Sequence, residues 1–205
     1  MTYSQPLELW FEFASTYSYL AVEAAGRLEQ PQLPLRYRPF LLGPIFAAQG
    51  WNDSPFNLFP AKGRYMLRDM ARLCDDAGLP WRAPTHFPRS GLLAARVAIA
   101  HAEAAWLPAF CRRVYRANFG EDREIQEPSV IKELLREQDL DAEAILERAQ
   151  ASVTKQALKE QTSRASELGI FGAPTWVVGS ELFWGNDRLA QAIAWWKRSA
   201  APGTP

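Results

Sequence analysis

The chain opens with a change of hydrophobic period. Leu7, Leu9, Phe11 and Phe13 alternate with Glu8, Trp10 and Glu12, which predicts a strand with one buried face. Tyr17, Leu20, Ala21, Ala24, Ala25 and Leu28 then recur at the spacing of one helix face. Ser15 stands where the first period gives way to the second, at a strand's carboxyl end and a helix's amino end. In α/β sheets that junction is where ligands bind, and the helix dipole with its free N–H groups favours an anion there. Pro31 and Pro34 bracket a turn, and Leu33, Leu35 and Tyr37 alternate with Gln32, Arg36 and Arg38, a short second strand. Strand, helix and strand in so short a stretch predict a parallel βαβ unit with a right-handed crossover.

From Phe40 to Pro60 the period is lost. Gly43-Pro44, Gly50 and Asn52-Asp53-Ser54-Pro55 read as turn chemistry. The same stretch carries Phe40, Leu41, Leu42, Ile45, Phe46, Trp51, Phe56 and Phe59, so it is expected to pack beside a pocket. Helical patterns follow in series. One starts at Pro60 with Met66, Met70, Leu73 and Ala77 as its stripe and stops at Gly78. After a Pro-rich connector from Trp81 to Pro88, Ser90 can cap a helix that carries Leu92, Ala95, Ile99, Ala102 and Trp106. Pro108 and Pro128 suit the first turns of two more, Asp141 can cap another, and a last one runs from about Ser152 to Leu168. Strand signals return at Thr175 to Val178, turn at Gly179-Ser180, and come back from Glu181 to Trp184. Leu189, Ile193 and Trp196 mark a closing helix, with Ala200 to Pro205 a frayed tail.

The order is β-α-β, a helical stretch, then β-β-α. This predicts an α/β fold: a thioredoxin-like mixed sheet with a large inserted all-helical domain. The thioredoxin-like part is residues 1–42 and 169–205; the insertion is 43–168.

Composition narrows the function. Lys plus Arg and Asp plus Glu number 23 each, so the formal charge is zero. That argues against a nucleic-acid surface and against a polybasic membrane anchor. Cys74 and Cys111 are too few for a disulfide framework, which fits a reducing compartment, and both fall on or beside apolar stripes. Met1 to Pro6 lacks the basic and apolar regions of a signal peptide, and no apolar run is long enough to span a bilayer. The expectation is a cytoplasmic protein. His86 and His101 are too few and too separated for a metal site.

Three places could carry chemistry. Ser15-Thr16-Tyr17-Ser18 occupies the position where a thioredoxin-like protein has Cys-x-x-Cys, whose first cysteine becomes a thiolate at the helix start. Two serines cannot form a disulfide, so redox chemistry at this position is excluded. Ser15 is either an ordinary helix cap or a hydroxyl that donates to a thiolate brought by a ligand. In Gly172-Ala173-Pro174-Thr175, a proline enters what reads as a central strand, where it removes a ladder donor. A cis bond there would turn the Ala173 backbone toward an extended, peptide-like ligand. Trp184-Gly185-Asn186-Asp187-Arg188-Leu189 sets a carboxylate, helix N–H groups and an arginine in one turn. They suit the ammonium and carboxylate of an amino-acid end, although Asp187 can also cap the closing helix.

The stretches Phe11 to Ala21, Ile170 to Thr175 and Phe183 to Leu189 resemble the 2-hydroxychromene-2-carboxylate isomerases, relatives of the kappa-class glutathione transferases. Ser54-Pro55-Phe56-Asn57 and the helix after it add to the likeness. The resemblance implies a dimeric, glutathione-dependent enzyme that acts on a small electrophilic, aromatic molecule. Ser15 would stabilise the glutathione thiolate as the catalytic residue. Ala173 and Pro174 would hold the cysteinyl part, and Trp184, Gly185, Asn186 and Asp187 the γ-glutamyl end. Asn57 would lie near the sulfur and the substrate. In such isomerases the thiolate adds to the substrate, a double bond becomes a rotatable single bond, and glutathione is expelled.

The chain also departs from that pattern. Phe46 stands where the isomerases for naphthalene-type intermediates carry a lysine, and Phe87 where they carry a tyrosine. Lys62 and Tyr65, at the start of the helix after Pro60, are further candidates for the substrate side. Arg64, Arg68 and Arg89 are read as solvated charges, with a charge for the pocket as the alternative. The competing reading of the whole is a redox-inactive thioredoxin-like module that binds a peptide or protein partner along the strand edge beside Pro174. A disulfide oxidoreductase is disfavoured by the missing Cys-x-x-Cys.

Overall fold

The computed structural model describes residues 5–28 and 33–199. The expected turn at Pro31, the alternation at Gln32, the start of the chain at Met1–Ser4 and the tail at Ala200–Pro205 lie outside the described residues. β1 (Leu7–Phe11) pairs parallel with β2 (Leu35–Pro39) and antiparallel with β3 (Thr175–Val178). β3 pairs antiparallel with β4 (Glu181–Trp184) through the Gly179-Ser180 turn. The sheet is four-stranded and mixed, in the order β2-β1-β3-β4. In register, Leu9 lies between Tyr37 and Trp176.

α1 (Thr16–Gly26) is the crossover between β1 and β2. Between β2 and β3 the described residues form helices and connectors: α2 (Leu42–Ala48), α3 (Pro55–Leu58), α4 (Pro60–Asp76), α5 (Leu92–Ala100), α6 (Leu107–Phe119), α7 (Pro128–Arg136), α8 (Ala142–Gln150) and α9 (Ser152–Glu167). A 3₁₀ turn (Asn186–Arg188) leads into α10 (Leu189–Ser199). No described helix is long and apolar enough to cross a membrane.

The stretch after β2, read as a loop, contains two short helices. Pro44 sits in the first turn of α2, where a missing N–H costs nothing. Ser54 caps α3, accepting from the Phe56 N–H, and Pro55 is its first residue. The turn residues of the sequence are therefore helix starts. α5 stops at Ala100, short of Ala102 and Trp106. Asp141 caps α8 as expected, accepting from the Ala144 N–H.

β1 is buried on both faces, not one. Leu7, Leu9 and Phe11 belong to the main core, where the Phe11 ring lies 6.4 Å from that of Tyr115 on α6. On the opposite face Trp10 joins Phe40, Ile45, Ala165, Ile170 and Val177, so α2 and α9 cover what the alternation presents as the polar side. Glu8 survives there by pairing with Arg38 at 2.6 Å and accepting from the Trp10 indole at 3.0 Å. The main core runs without a break from the sheet into the helices between β2 and β3. At its centre Tyr115 of α6 stacks with Phe13 at 5.3 Å and with Tyr19 of α1 at 6.0 Å, pairs worth about 1 kcal/mol each beyond area burial. This stack fixes α6 against the strand end from which Ser15 projects.

Candidate functional site

Ser15 follows β1 through a tight turn in which its own N–H donates to the Glu12 carbonyl at 2.9 Å. It is the N-cap of α1: its Oγ accepts from the Ser18 N–H at 3.3 Å. The same hydroxyl donates to the Ala173 carbonyl at 2.9 Å, across 158 residues of sequence. The capping role and the link to the second motif therefore hold together. The first turn of α1 has no acidic residue, so no carboxylate of that turn offsets the positive end of its dipole. Thr16 Oγ1, one residue on, is buried without a hydrogen-bond partner.

The Ala173-Pro174 peptide bond is cis. The Pro174 carbonyl accepts from the Gly185 N–H at 3.0 Å, and the Trp176 indole donates to the Gly185 carbonyl at 3.2 Å. These bonds hold the Trp184–Asp187 turn against the Ala173 segment, and α1 packs on the 3₁₀ turn. Gly185 has φ +126°, and a Cβ on it would lie 2.5 Å from Asp187 Oδ1. Only glycine lets the carboxylate fold back over the turn. A Cβ on Gly172 would meet the Trp184 indole nitrogen at 2.5 Å. The indole thus lies on the backbone just before Ala173, with Phe171 edge-on at 4.8 Å. Asp187 is exposed and pairs with Arg188 at 3.4 Å, and among the described residues it makes no capping bond. The cap expected from the sequence is replaced by a 3₁₀ turn.

The substrate-side candidates fall into linked groups. Tyr17 packs on Phe56 at 6.4 Å and Phe56 on Phe87 at 6.3 Å. Asn57 donates to both Asp53 oxygens and to the Phe87 carbonyl at 3.0 Å, so its amide ties α3 to the connector beside Phe87. A second group joins Phe46 to Trp51 at 5.5 Å, Trp51 to Phe59 at 6.4 Å, and the Lys62 ammonium to the Phe59 ring at 4.5 Å. Tyr65 stands on the exposed side of α4 under the Arg72 guanidinium at 5.8 Å. Arg72 pairs with Asp69, which accepts from the Tyr17 hydroxyl at 2.9 Å. Burial and the Asp69 carboxylate push the Tyr17 phenol well up, so it stays neutral.

Arg89 departs from the sequence reading. It is 2% exposed and its guanidinium is fully engaged with protein groups. It is not a solvated charge, and it has nothing to offer a substrate. Cys74 and Cys111 are buried.

Three residues that the sequence reading gave no role, Glu12, Tyr115 and Asn118, build the turn before Ser15, with Arg89 behind them. Glu12 is buried, and its carboxyl accepts from Leu42 N–H at 2.9 Å and Ala14 N–H at 3.4 Å. Burial raises its pKa from 4.5 to about 7 against the lowering effect of those bonds. The Tyr115 hydroxyl donates to the Glu12 carbonyl at 2.7 Å, and Asn118 Nδ2 to the Phe13 carbonyl at 3.2 Å. Arg89 in turn holds Asn118. Asn118 lies on the stripe of Cys111, Val114 and Tyr115, and a polar residue on an apolar stripe was the available signal.

The profile of the DSBA-like thioredoxin domain matches residues 6–193. A 2-hydroxychromene-2-carboxylate isomerase of Pseudomonas putida is 31% identical over 190 residues, covering 89% of this chain and 90% of its own. The human glutathione S-transferase kappa 1 is 28% identical over 200 residues, covering 89% and 87%. Among solved structures, a 2-hydroxychromene-2-carboxylate isomerase superposes with a TM-score of 0.80 at 26% identity, over 94% of both chains. The chain belongs to the DsbA-like thioredoxin family, in the group of the 2-hydroxychromene-2-carboxylate isomerases and kappa-class glutathione transferases.

Proposed function

We propose that this chain is a glutathione-dependent isomerase or transferase in which Ser15 holds the sulfur as an anion. The reading is carried by the bond from Ser15 Oγ to the Ala173 carbonyl. It places a hydroxyl donor, an open helix amino end and a strand-like backbone at one spot. The residues fit the group. Ala173 N–H has no partner among the described residues, and the Trp184–Asp187 turn beside it carries the carboxylate that an α-ammonium needs. When bound, glutathione supplies a thiolate that adds reversibly to an activated double bond, which turns as a single bond before the thiolate leaves.

A hydroxyl has one proton to give. In the chain as described, Ser15 gives it to Ala173. A ligand N–H on the Ala173 carbonyl weakens that oxygen's hold on the Ser15 proton, and turning the proton to the sulfur would couple sulfur binding to backbone pairing. Asn57, Phe46, Phe87, Lys62 and Tyr65 belong to the acceptor side. On this reading residues 1–42 and 169–205 hold glutathione, and 43–168 shape the space for a small aromatic electrophile. The enzyme would work as a homodimer in the cytoplasm, where thiols stay reduced, and its zero net charge supports a small-molecule rather than a nucleic-acid partner.

The test is the acidity of the bound thiol. A hydrogen bond to a charged acceptor is worth about 1.5–3 kcal/mol, one to two pH units, so Ser15→Ala is expected to raise the pKa of bound glutathione by about that much toward the free thiol. An unchanged pKa removes Ser15 from the role. The exposed pair Phe171 and Trp184 beside edge strand β4 favours the second reading, a partner-binding module. Calorimetry that finds no glutathione binding to the wild type at millimolar ligand would select it.

A further inference from the structure

The turn that aims Ser15 is held from outside by two donors on one face of α6. Tyr115 and Asn118 are three residues apart, and they donate to consecutive carbonyls, those of Glu12 and Phe13. Asn118 is 1% exposed, and its amide is not free to choose its direction. Arg89 Nη1 donates at 3.1 Å to Asn118 Oδ1 and at 3.1 Å to the Asn118 carbonyl. A flipped amide would set Oδ1 against the Phe13 carbonyl and its NH₂ against a guanidinium, two repulsions in place of two bonds. The guanidinium thus decides that Asn118 presents a donor to the turn.

The rest of Arg89 is fixed by the opposite wall. Its Nε donates to Glu124 at 2.9 Å, and its Nη2 donates to Thr85 at 3.0 Å and to Asp122. Thr85 and Arg89 flank Phe87, whose ring packs on Phe56 and whose carbonyl takes the Asn57 amide. One buried cation therefore joins the turn that carries the sulfur-holding hydroxyl to the connector that carries the aromatic wall.

We propose that Asn118, oriented by Arg89, is a positioning residue for the thiolate site. It sets the Phe13–Ser15 backbone from which the Ser15 hydroxyl is aimed, and the Arg89 node fixes that turn relative to the Phe87 connector. The proposal rests on the glutathione reading above for its chemistry, and on the hydrogen-bond geometry alone for its mechanics.

Asn118→Asp tests it. The variant keeps the size of the side chain and its acceptor for Arg89 but turns an acceptor toward the Phe13 carbonyl. Leu134→Ala, a core truncation in α7 far along the chain from the turn, serves as the comparison that loses stability only. Three quantities are measured: the pKa of bound glutathione by its thiolate absorbance, kcat against KM, and hydrogen exchange of the peptide covering residues 12–18 without ligand. Asn118→Asp is expected to raise the bound-thiol pKa by about one pH unit and to lower kcat about tenfold with KM little changed, because misaim is felt most in the transition state. The turn's amides should exchange faster. Leu134→Ala should melt earlier and leave all three unmoved. If Asn118→Asp behaves like Leu134→Ala, the proposal is wrong. If Asn118→Asp fails to fold, Tyr115→Phe removes the other donor, and the same shifts, smaller, are required. A wild type that shows no bound thiolate defeats the glutathione reading, and the exchange comparison still decides the positioning role.

Discussion

Replacing Glu12 by glutamine isolates the one deeply buried carboxyl beside the site. Glu12 is 5% exposed. The groups that face it are the N–H groups of Leu42, Ala14 and Phe13 and the Tyr115 hydroxyl on its backbone carbonyl. None of them is a cation, so burial dominates and the pKa rises from 4.5 to about 7. Between those values the folded chain keeps a proton that the unfolded chain has lost. Stability therefore falls as pH rises through that window and levels off above 7. The full drop, from the difference between 4.5 and about 7, is about 3 kcal/mol. Glu12→Gln carries no titrating proton and should lack this slope. Its offset from the wild type at acid pH reflects lost hydrogen bonds and decides nothing; only the change in the offset counts. Urea unfolding of both proteins by tryptophan fluorescence, from pH 4.5 to 8, should show the variant gaining about 3 kcal/mol on the wild type across the range. Stability curves that stay parallel would refute the assignment of the slope to Glu12.

Two further outcomes are expected. Asp187→Ala should weaken glutathione binding by calorimetry about tenfold, the loss of one solvent-accessible ionic contact; equal affinity would place the γ-glutamyl end elsewhere. Burial pushes the Cys74 thiol up to about 12 and Cys111 higher still, so neither should react with an aromatic disulfide reagent at pH 8 until the chain is unfolded. Fast labelling of the folded protein would contradict that.

Much of the frame was legible because one face or one turn dictated it. β1, α1 and β2 follow from period alone, and the β3–β4 hairpin from Gly179-Ser180 between two apolar runs. The three motifs at Ser15, Ala173-Pro174 and Trp184–Asp187 could be named in sequence because each has its own local chemistry, and the sheet order brings them to one end. What was not legible depends on contacts distant in sequence. Nothing in the alternation of β1 reveals that α2 and α9 cover Trp10 and Glu12, since a period of two reports two faces and not what lies on either. Pro44 and Pro55 are turn residues by composition and stand in the first turns of α2 and α3, which pack on α9 and α4. Arg89, between Pro88 and Ser90, reads as a surface charge, and its burial follows from Asp122 and Glu124, more than thirty residues away.

On the proposed reading, the Ser15–Ala173 bond also takes part in selecting the thiol. In a Cys-x-x-Cys protein the helix start stabilises a thiolate that belongs to the chain. Here the first-position side chain is a hydroxyl whose proton is already engaged by the Ala173 carbonyl at 2.9 Å. On the proposed glutathione reading, a ligand sulfur has to compete with the Ala173 carbonyl for that proton, and a ligand N–H on the same carbonyl favours the sulfur. A bare thiolate would have to break the bond without replacing it. On that reading a small thiol with no peptide N–H should bind far less well than glutathione, and part of the preference for a peptide-like thiol would come from the Ala173 carbonyl. Comparing glutathione with mercaptoethanol as inhibitors of each other's binding measures that preference directly; equal affinity would mean that the Ser15–Ala173 bond takes no part in selection.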